Sequence, residues 1–150
     1  MISYSAIVTG TDGSDTSLYA VRSAASLAAT YDAVLTIVCA HHIDAGTLTS
    51  PTHVEMNSIP VYSKERALEI LAEAQAYAEA EGAMTVNIRA VPGAPVPALL
   101  SVVDELDADL VVVGNRGLDS LLGRITGNIP GAITRKAKVD VMLVNTDHEQ

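Results

Sequence analysis

The sequence predicts an α/β fold: a single-domain, open, twisted five-stranded parallel sheet, doubly wound, with helices on both faces. Three observations predict it. Short aliphatic runs recur along the 150 residues, and most are near-continuous rather than alternating, as in strands covered on both faces. Amphipathic helical stretches lie between them, giving the order β-α-β-α-β-α-β-α-β, and right-handed crossovers then place helices on both sides of the sheet. The strongest strand also runs straight into a glycine-rich loop, as strands do at ligand-binding ends of such sheets.

The elements follow in order. Ala6-Ile7-Val8 opens the sheet. Ser14 or Asp15 caps a helix whose apolar stripe is Leu18, Val21, Ala25 and Ala28, and Val34 to Ala40 forms the second strand. His41 to Tyr62 breaks the rhythm with Gly46, Pro51, Pro60 and many Ser and Thr; it reads as a lid, a partner loop or a disordered excursion. A second helix carries Ala67, Ile70, Leu71, Ala74, Tyr77 and Ala78 inward and Glu65, Glu69, Glu73 and Glu79 outward, and Gly82 ends it. Met84 to Val91 alternates, which marks an edge strand. Leu99, Val102, Val103 and Leu106 stripe a third helix opened by Pro97, and Leu110 to Val113 is the fourth strand. Ile129, Ile133 and Ala137 form a short fourth helix whose last turn carries Arg135, Lys136 and Lys138 against the negative helix end. Val139 to Val144 closes the sheet.

Composition excludes several functions. With no Trp or Phe and five Tyr, the core is aliphatic and there is no aromatic platform for stacking single-stranded bases. A net charge of −9 repels nucleic acid and anionic membranes, so neither is expected as a partner. One cysteine, Cys39, excludes an internal disulfide and reads as a small buried hydrophobe. His41, His42, His53 and His148 lack metal-ligand spacing and read as solvated loop or tail residues, so no metal site is expected from them. No secretory signal or membrane span is visible, and a soluble, cytoplasmic protein is expected.

The informative feature is the loop from Gly114 to Gly127, which holds Gly114, Gly117, Gly123 and Gly127 and feeds the last helix near Asn128. Glycines let the backbone approach an anion, and a helix start offers unpaired N–H groups. Between Leu110 and Val139 stand Arg116, Arg124, Arg135, Lys136 and Lys138 against one acid, Asp119, so this stretch is electropositive inside an acidic chain. The loop is neither a P-loop, which needs Gly-Lys-Ser/Thr, nor G-x-G-x-x-G. Facing it, Gly10-Thr11-Asp12-Gly13-Ser14 leaves the first strand. Asp12 is suited to accept hydrogen bonds from a base edge or ribose, to hold a metal through a ligand phosphate, or simply to cap the helix or form a turn, as Asp-Gly does routinely.

Gly10-Thr11-Asp12-Gly13-Ser14, Ala108 to Gly114, the spacing Gly114-x2-Gly117-x9-Gly127 and the closing Ala137 to Val144 together resemble the universal stress protein family, over the whole chain and in order. The resemblance implies strand order 3-2-1-4-5 and adenine-nucleotide binding. By motif position it implies Thr11, Asp12 and Ala40 on the adenine side, and Gly114, Arg116 and Gly117 at ribose and phosphate. Gly127, Asn128 and Ile129 would meet the phosphates, with Arg124 nearby. The chain departs from the family motif in having Gly127-Asn128 where the motif ends Gly-Ser or Gly-Thr. Asn keeps a donor and caps helices well, but its bulk alters the phosphate slot, so AMP and cyclic AMP compete with ATP as the expected ligand.

The expected role is a stress-response or signalling module that binds ATP, AMP or cyclic AMP, with Mg2+ accompanying ATP. The alternatives are a nucleotide-free interaction protein of the same family, or a slow ATP hydrolase or phosphotransferase, for which no general base is evident. The last strand, Val141-Met142-Leu143-Val144, lies at a sheet edge in the family order and carries no Lys or Pro, so a homodimer through it is expected.

Overall fold

A β-strand, β1, runs from Ala6 to Gly10 at the centre of the sheet. In this computed structural model, which describes residues 1–42, 62–115 and 129–146, four further strands follow: β2 (Val34–His41), β3 (Thr85–Pro92), β4 (Leu110–Gly114) and β5 (Asp140–Val144). All pairings are parallel and the order is β3-β2-β1-β4-β5. The helices are α1 (Asp15–Tyr31), α2 (Lys64–Ala80), α3 (Pro95–Leu106) and α4 (Ile129–Lys136).

The pleat divides the strand residues between two cores. Ile7, Leu35, Ile37, Leu110 and Val112 pack with α1 and α2, whose buried faces are mostly alanine: Ala20, Ala24, Ala25 and Ala28 on α1, and Ala67, Ala74 and Ala78 on α2. Val8, Val38, Val111 and Val113 pack on the opposite face with Leu99, Val102 and Val103 of α3 and Ile133 of α4. Helices 1 and 2 thus cover one face and helices 3 and 4 the other, and the winding reverses between β1 and β4.

Several boundaries differ from the sequence reading. β1 runs to Gly10 rather than Val8, because the buried Thr9 hydroxyl donates to the Val112 carbonyl at 2.7 Å and so is satisfied inside the sheet. β2 includes His41, whose carbonyl accepts the Gly93 N–H at 2.9 Å. The expectation that His41 is a solvated loop residue is corrected: it is 6% exposed, and its Nδ1 lies 2.8 Å from the His42 carbonyl. A carbonyl only accepts, so Nδ1 carries a proton. α3 begins at Pro95 rather than near Pro97, since prolines in a first turn forfeit no intrahelical bond. α4 ends at Lys136, which leaves Lys138 beyond the helix. Ser14 caps α1 by accepting the Ser17 N–H, as expected. β3 and β5 are the two edges. On β5, Met142 and Leu143 are 38% and 47% exposed.

Candidate functional site

The switch point is a cleft over the carboxyl ends of β1, β2 and β4. β1 delivers Gly10, Thr11 and Asp12; β2 delivers Val38, Cys39 and Ala40; β4 delivers Val113 and Gly114. The starts of α3 and α4 close the opposite side with Pro95, Leu99, Ile129 and Pro130. Five of the residues singled out from the sequence, Thr11, Asp12, Ala40, Gly114 and Ile129, therefore line one cleft. Arg116, Gly117, Arg124, Gly127 and Asn128 lie outside the described residues.

The turn after β1 is held by a hydroxyl network. The Thr11 N–H extends the ladder to the Val38 carbonyl at 2.9 Å. The Thr11 and Ser17 hydroxyls share a 2.8 Å hydrogen bond, and the Gly13 N–H donates to Thr11 Oγ1 at 3.0 Å. Thr11 thus positions the turn. Gly13, at φ +85, takes the left-handed bend this geometry needs. Asp12 Oδ1 accepts the Ser14 N–H at 2.9 Å, the Asx-turn bond foreseen for an Asp-Gly pair. Its other oxygen behaves differently: Oδ2 is buried and meets no hydrogen-bond donor among the described residues. Asp12 is also the one charged side chain among the described residues lining the cleft.

Sequence reasoning missed Tyr62. Its ring lines the cleft and its hydroxyl donates to the Asp12 carbonyl at 2.9 Å, while its own carbonyl accepts the His42 N–H at 2.8 Å. It bridges in parallel to His41, so the chain returns beside the end of β2. Burial, reinforced by the Asp12 carboxylate, pushes the Tyr62 phenol up from its ordinary pKa. Cys39 is buried in the cleft wall, and its thiol is pushed up to about 12, mainly by burial and then by Asp12. A thiol so held is inert packing at neutral pH. Gly114 serves packing as well as the cleft, since a Cβ there would meet Thr146 Cγ2 at 3.3 Å and Ala20 Cβ at 3.7 Å.

The arrangement is an apolar slot with an unsatisfied acceptor in its wall, at the end of the sheet where α/β proteins take ligands. A family model for the universal stress protein family matches residues 3–145. The chain belongs to the universal stress protein family. A universal stress protein of Mycobacterium tuberculosis is 42% identical over 97% of this chain and 99% of its own length. Among solved structures, a universal stress protein in complex with cAMP is 40% identical, with a TM-score of 0.73 over 97% of this chain and 99% of that one. The universal stress protein UspA of Lactobacillus plantarum, at 19% identity and a TM-score of 0.76 over 97% of this chain and 100% of its own, shows the shared fold.

As a universal stress protein the chain has the strand order the resemblance implied. Among the described residues, no three His, Cys, Asp or Glu side chains gather as a metal-ligand set, and no helix is long and apolar enough to cross a membrane.

Proposed function

We propose that this universal stress protein binds an adenine nucleotide (ATP, AMP or cyclic AMP) in the cleft at the switch point and acts as a cytoplasmic stress-response or signalling module. The observation that carries the proposal is Asp12 Oδ2. A buried acceptor without a donor costs about 1–3 kcal/mol, a penalty that an amine or hydroxyl of a ligand removes. Around it Val38, Leu99, Val113 and Pro130 offer apolar surface for a flat ring. A heterocycle with donors on its edge, or the ribose attached to it, answers both features. The 40%-identical universal stress protein solved with cAMP supports the same reading.

In this proposal Thr11, Asp12 and Ala40 serve the base side, and Gly114 and Ile129 the ribose and phosphate side together with Arg116, Gly117, Arg124, Gly127 and Asn128. In the alternative orientation, with ATP phosphates rather than the base beside Asp12, Oδ2 is a hard oxygen donor suited to Mg2+, which is commonly held by one or two carboxylates plus phosphate oxygens. The test is mass analysis of ligand released from freshly purified protein, followed by equilibrium dialysis with each nucleotide. Saturable binding of at least one is expected; none at millimolar concentration overturns the proposal.

The homodimer belongs to the same proposal. β5 pairs on one side with β4 and exposes Met142 and Leu143 at its free edge. An apolar edge without Lys or Pro pairs readily with a second copy. Sedimentation at micromolar concentration is expected to give a dimer that Leu143→Lys dissociates, and a monomeric wild type would count against it.

A further inference from the structure

Tyr62 reaches from one strand end to the next along the cleft wall. Its backbone stands beside the end of β2, bridging in parallel to His41 and accepting the His42 N–H at 2.8 Å. Its hydroxyl reaches the turn after β1, where it donates to the Asp12 carbonyl at 2.9 Å. β1 and β2 are neighbours in the sheet, so the ring between these two anchors spans their carboxyl ends. The ring is half-buried, lines the cleft and packs against the core of α1 and α2. Held at both ends before any ligand arrives, it gives up little further side-chain freedom on binding.

The chain has five tyrosines and no Phe or Trp, and all five tyrosines fall within the described residues. Tyr4 and Tyr31 meet edge to face with ring centroids 5.5 Å apart, Tyr19 lies under the Arg22 guanidinium, and Tyr77 stands on α2. Tyr62 is the tyrosine that lines the cleft. Val38, Leu99 and Val113 line it too, and they belong to the core on the opposite face of the sheet. A flat group in the cleft therefore has an aromatic ring on one side and aliphatic side chains on the other. A nucleobase suits both, since its π-face stacks on the ring and its apolar surface leaves water against the aliphatics. One ring serves one base, not the run of bases in a single strand.

We infer that Tyr62 is a base-stacking, specificity-determining residue of the nucleotide site, favouring purine over pyrimidine ligands. The inference rests on the proposal that an adenine nucleotide occupies this cleft. Stacking strength grows with the overlapping π surface, so two fused rings gain more from Tyr62 than one. The hydroxyl is not the selecting group. It is spent on the Asp12 carbonyl, and it holds the ring beside the carboxylate proposed to meet the base. Tyr62 thus discriminates by ring size, and Asp12 by the donors on the ligand's edge.

The experiment compares Tyr62→Phe and Tyr62→Leu with the wild type, by calorimetry with cyclic AMP and cyclic CMP and with adenosine and cytidine. Both variants lack the hydroxyl, so a difference between them belongs to the aromatic ring. Tyr62→Phe should bind the adenine ligands within about threefold of the wild type and keep its preference for them. Tyr62→Leu should bind them about tenfold more weakly than Tyr62→Phe does, the worth of one base stacked on one ring. Its loss for the cytosine ligands should stay below about threefold, which also shows the cleft intact. Fluorescence gives a second readout that does not need the leucine variant to fold. With no Trp in the chain, adenosine should quench the wild-type tyrosine emission, and Tyr62→Phe should abolish the quenching while still binding adenosine. Equal affinity of the two variants for adenine ligands, equal losses for adenine and cytosine ligands in a folded leucine variant, or quenching that persists in Tyr62→Phe overturns the role of Tyr62 while leaving nucleotide binding intact. Failure of the wild type to bind any adenine ligand overturns the nucleotide proposal itself.

Discussion

Two aspartates stand at opposite ends of β1 and are treated in opposite ways. At the amino end, Asp109 accepts the Ser5 N–H with both oxygens, at 3.2 and 3.0 Å, and the Ala6 N–H with Oδ1 at 3.0 Å, tying the start of β1 to the start of β4. At the carboxyl end, Asp12 spends one oxygen on the turn and leaves the other buried and, among the described residues, unmatched. The same side chain is a fastening at one end and an open valence at the other. Saturated polar groups hold a fold together, whereas a buried acceptor left over marks where the fold is waiting for something else.

That contrast makes graded predictions. The largest effect on folding belongs to Asp109→Ala, which removes three charge-assisted bonds and should cost about 2 kcal/mol in urea unfolding, with nucleotide affinity unchanged. Asp12→Asn should do the reverse. The amide oxygen keeps the Ser14 bond, so stability should move by no more than about 0.5 kcal/mol, while the amine now placed at the Oδ2 position repels a ligand donor. Adenosine affinity should then fall about tenfold by calorimetry, roughly 1.4 kcal/mol. If Asp12→Asn weakens the fold as much as Asp109→Ala does, the two ends are not different in kind.

Tyr62→Phe should have the smallest effect. It removes the half-buried bond to the Asp12 carbonyl, worth about 0.5 kcal/mol, and keeps the ring. A shared loss, a few tenths of a kcal/mol in stability and a two- to threefold loss of adenosine affinity, would show that this hydroxyl steadies Asp12. An effect on stability alone would assign Tyr62 to the fastening class.

The fold was legible because its signals are local. Runs such as Leu110 to Val113 and stripes such as Ala67-Ile70-Leu71-Ala74 announce burial by their own spacing, and Ser14 sits where a cap should. Boundaries were misread where a distant partner decides them. Thr9 looks like a strand end until Val112 accepts its hydroxyl, and His41 looks solvated until Gly93 pairs with it. The start of α3 was hidden for another reason: Ala94 at its N-cap makes no side-chain bond, so no capping residue flags the entry. Within the candidate site, Asp12 and Gly114 were visible from motif and position. Tyr62 was not, since its partner lies fifty residues away and nothing near it in the chain hints at the contact.

The bond between the His42 N–H and the Tyr62 carbonyl has an architectural consequence. The chain departs from the end of β2 at His42 and comes back at Tyr62 one hydrogen bond away, while residues 43–61, most of the loop expected as a lid or partner loop, lie outside the described residues. Closing a longer or shorter excursion at such a gate changes the entropy only slowly with length. Evolution, or an engineer, is therefore free to rewrite that stretch, graft a recognition peptide into it or trim it. The end of β2 and the Tyr62 bond to Asp12 should persist through such a change so long as the two gateposts remain.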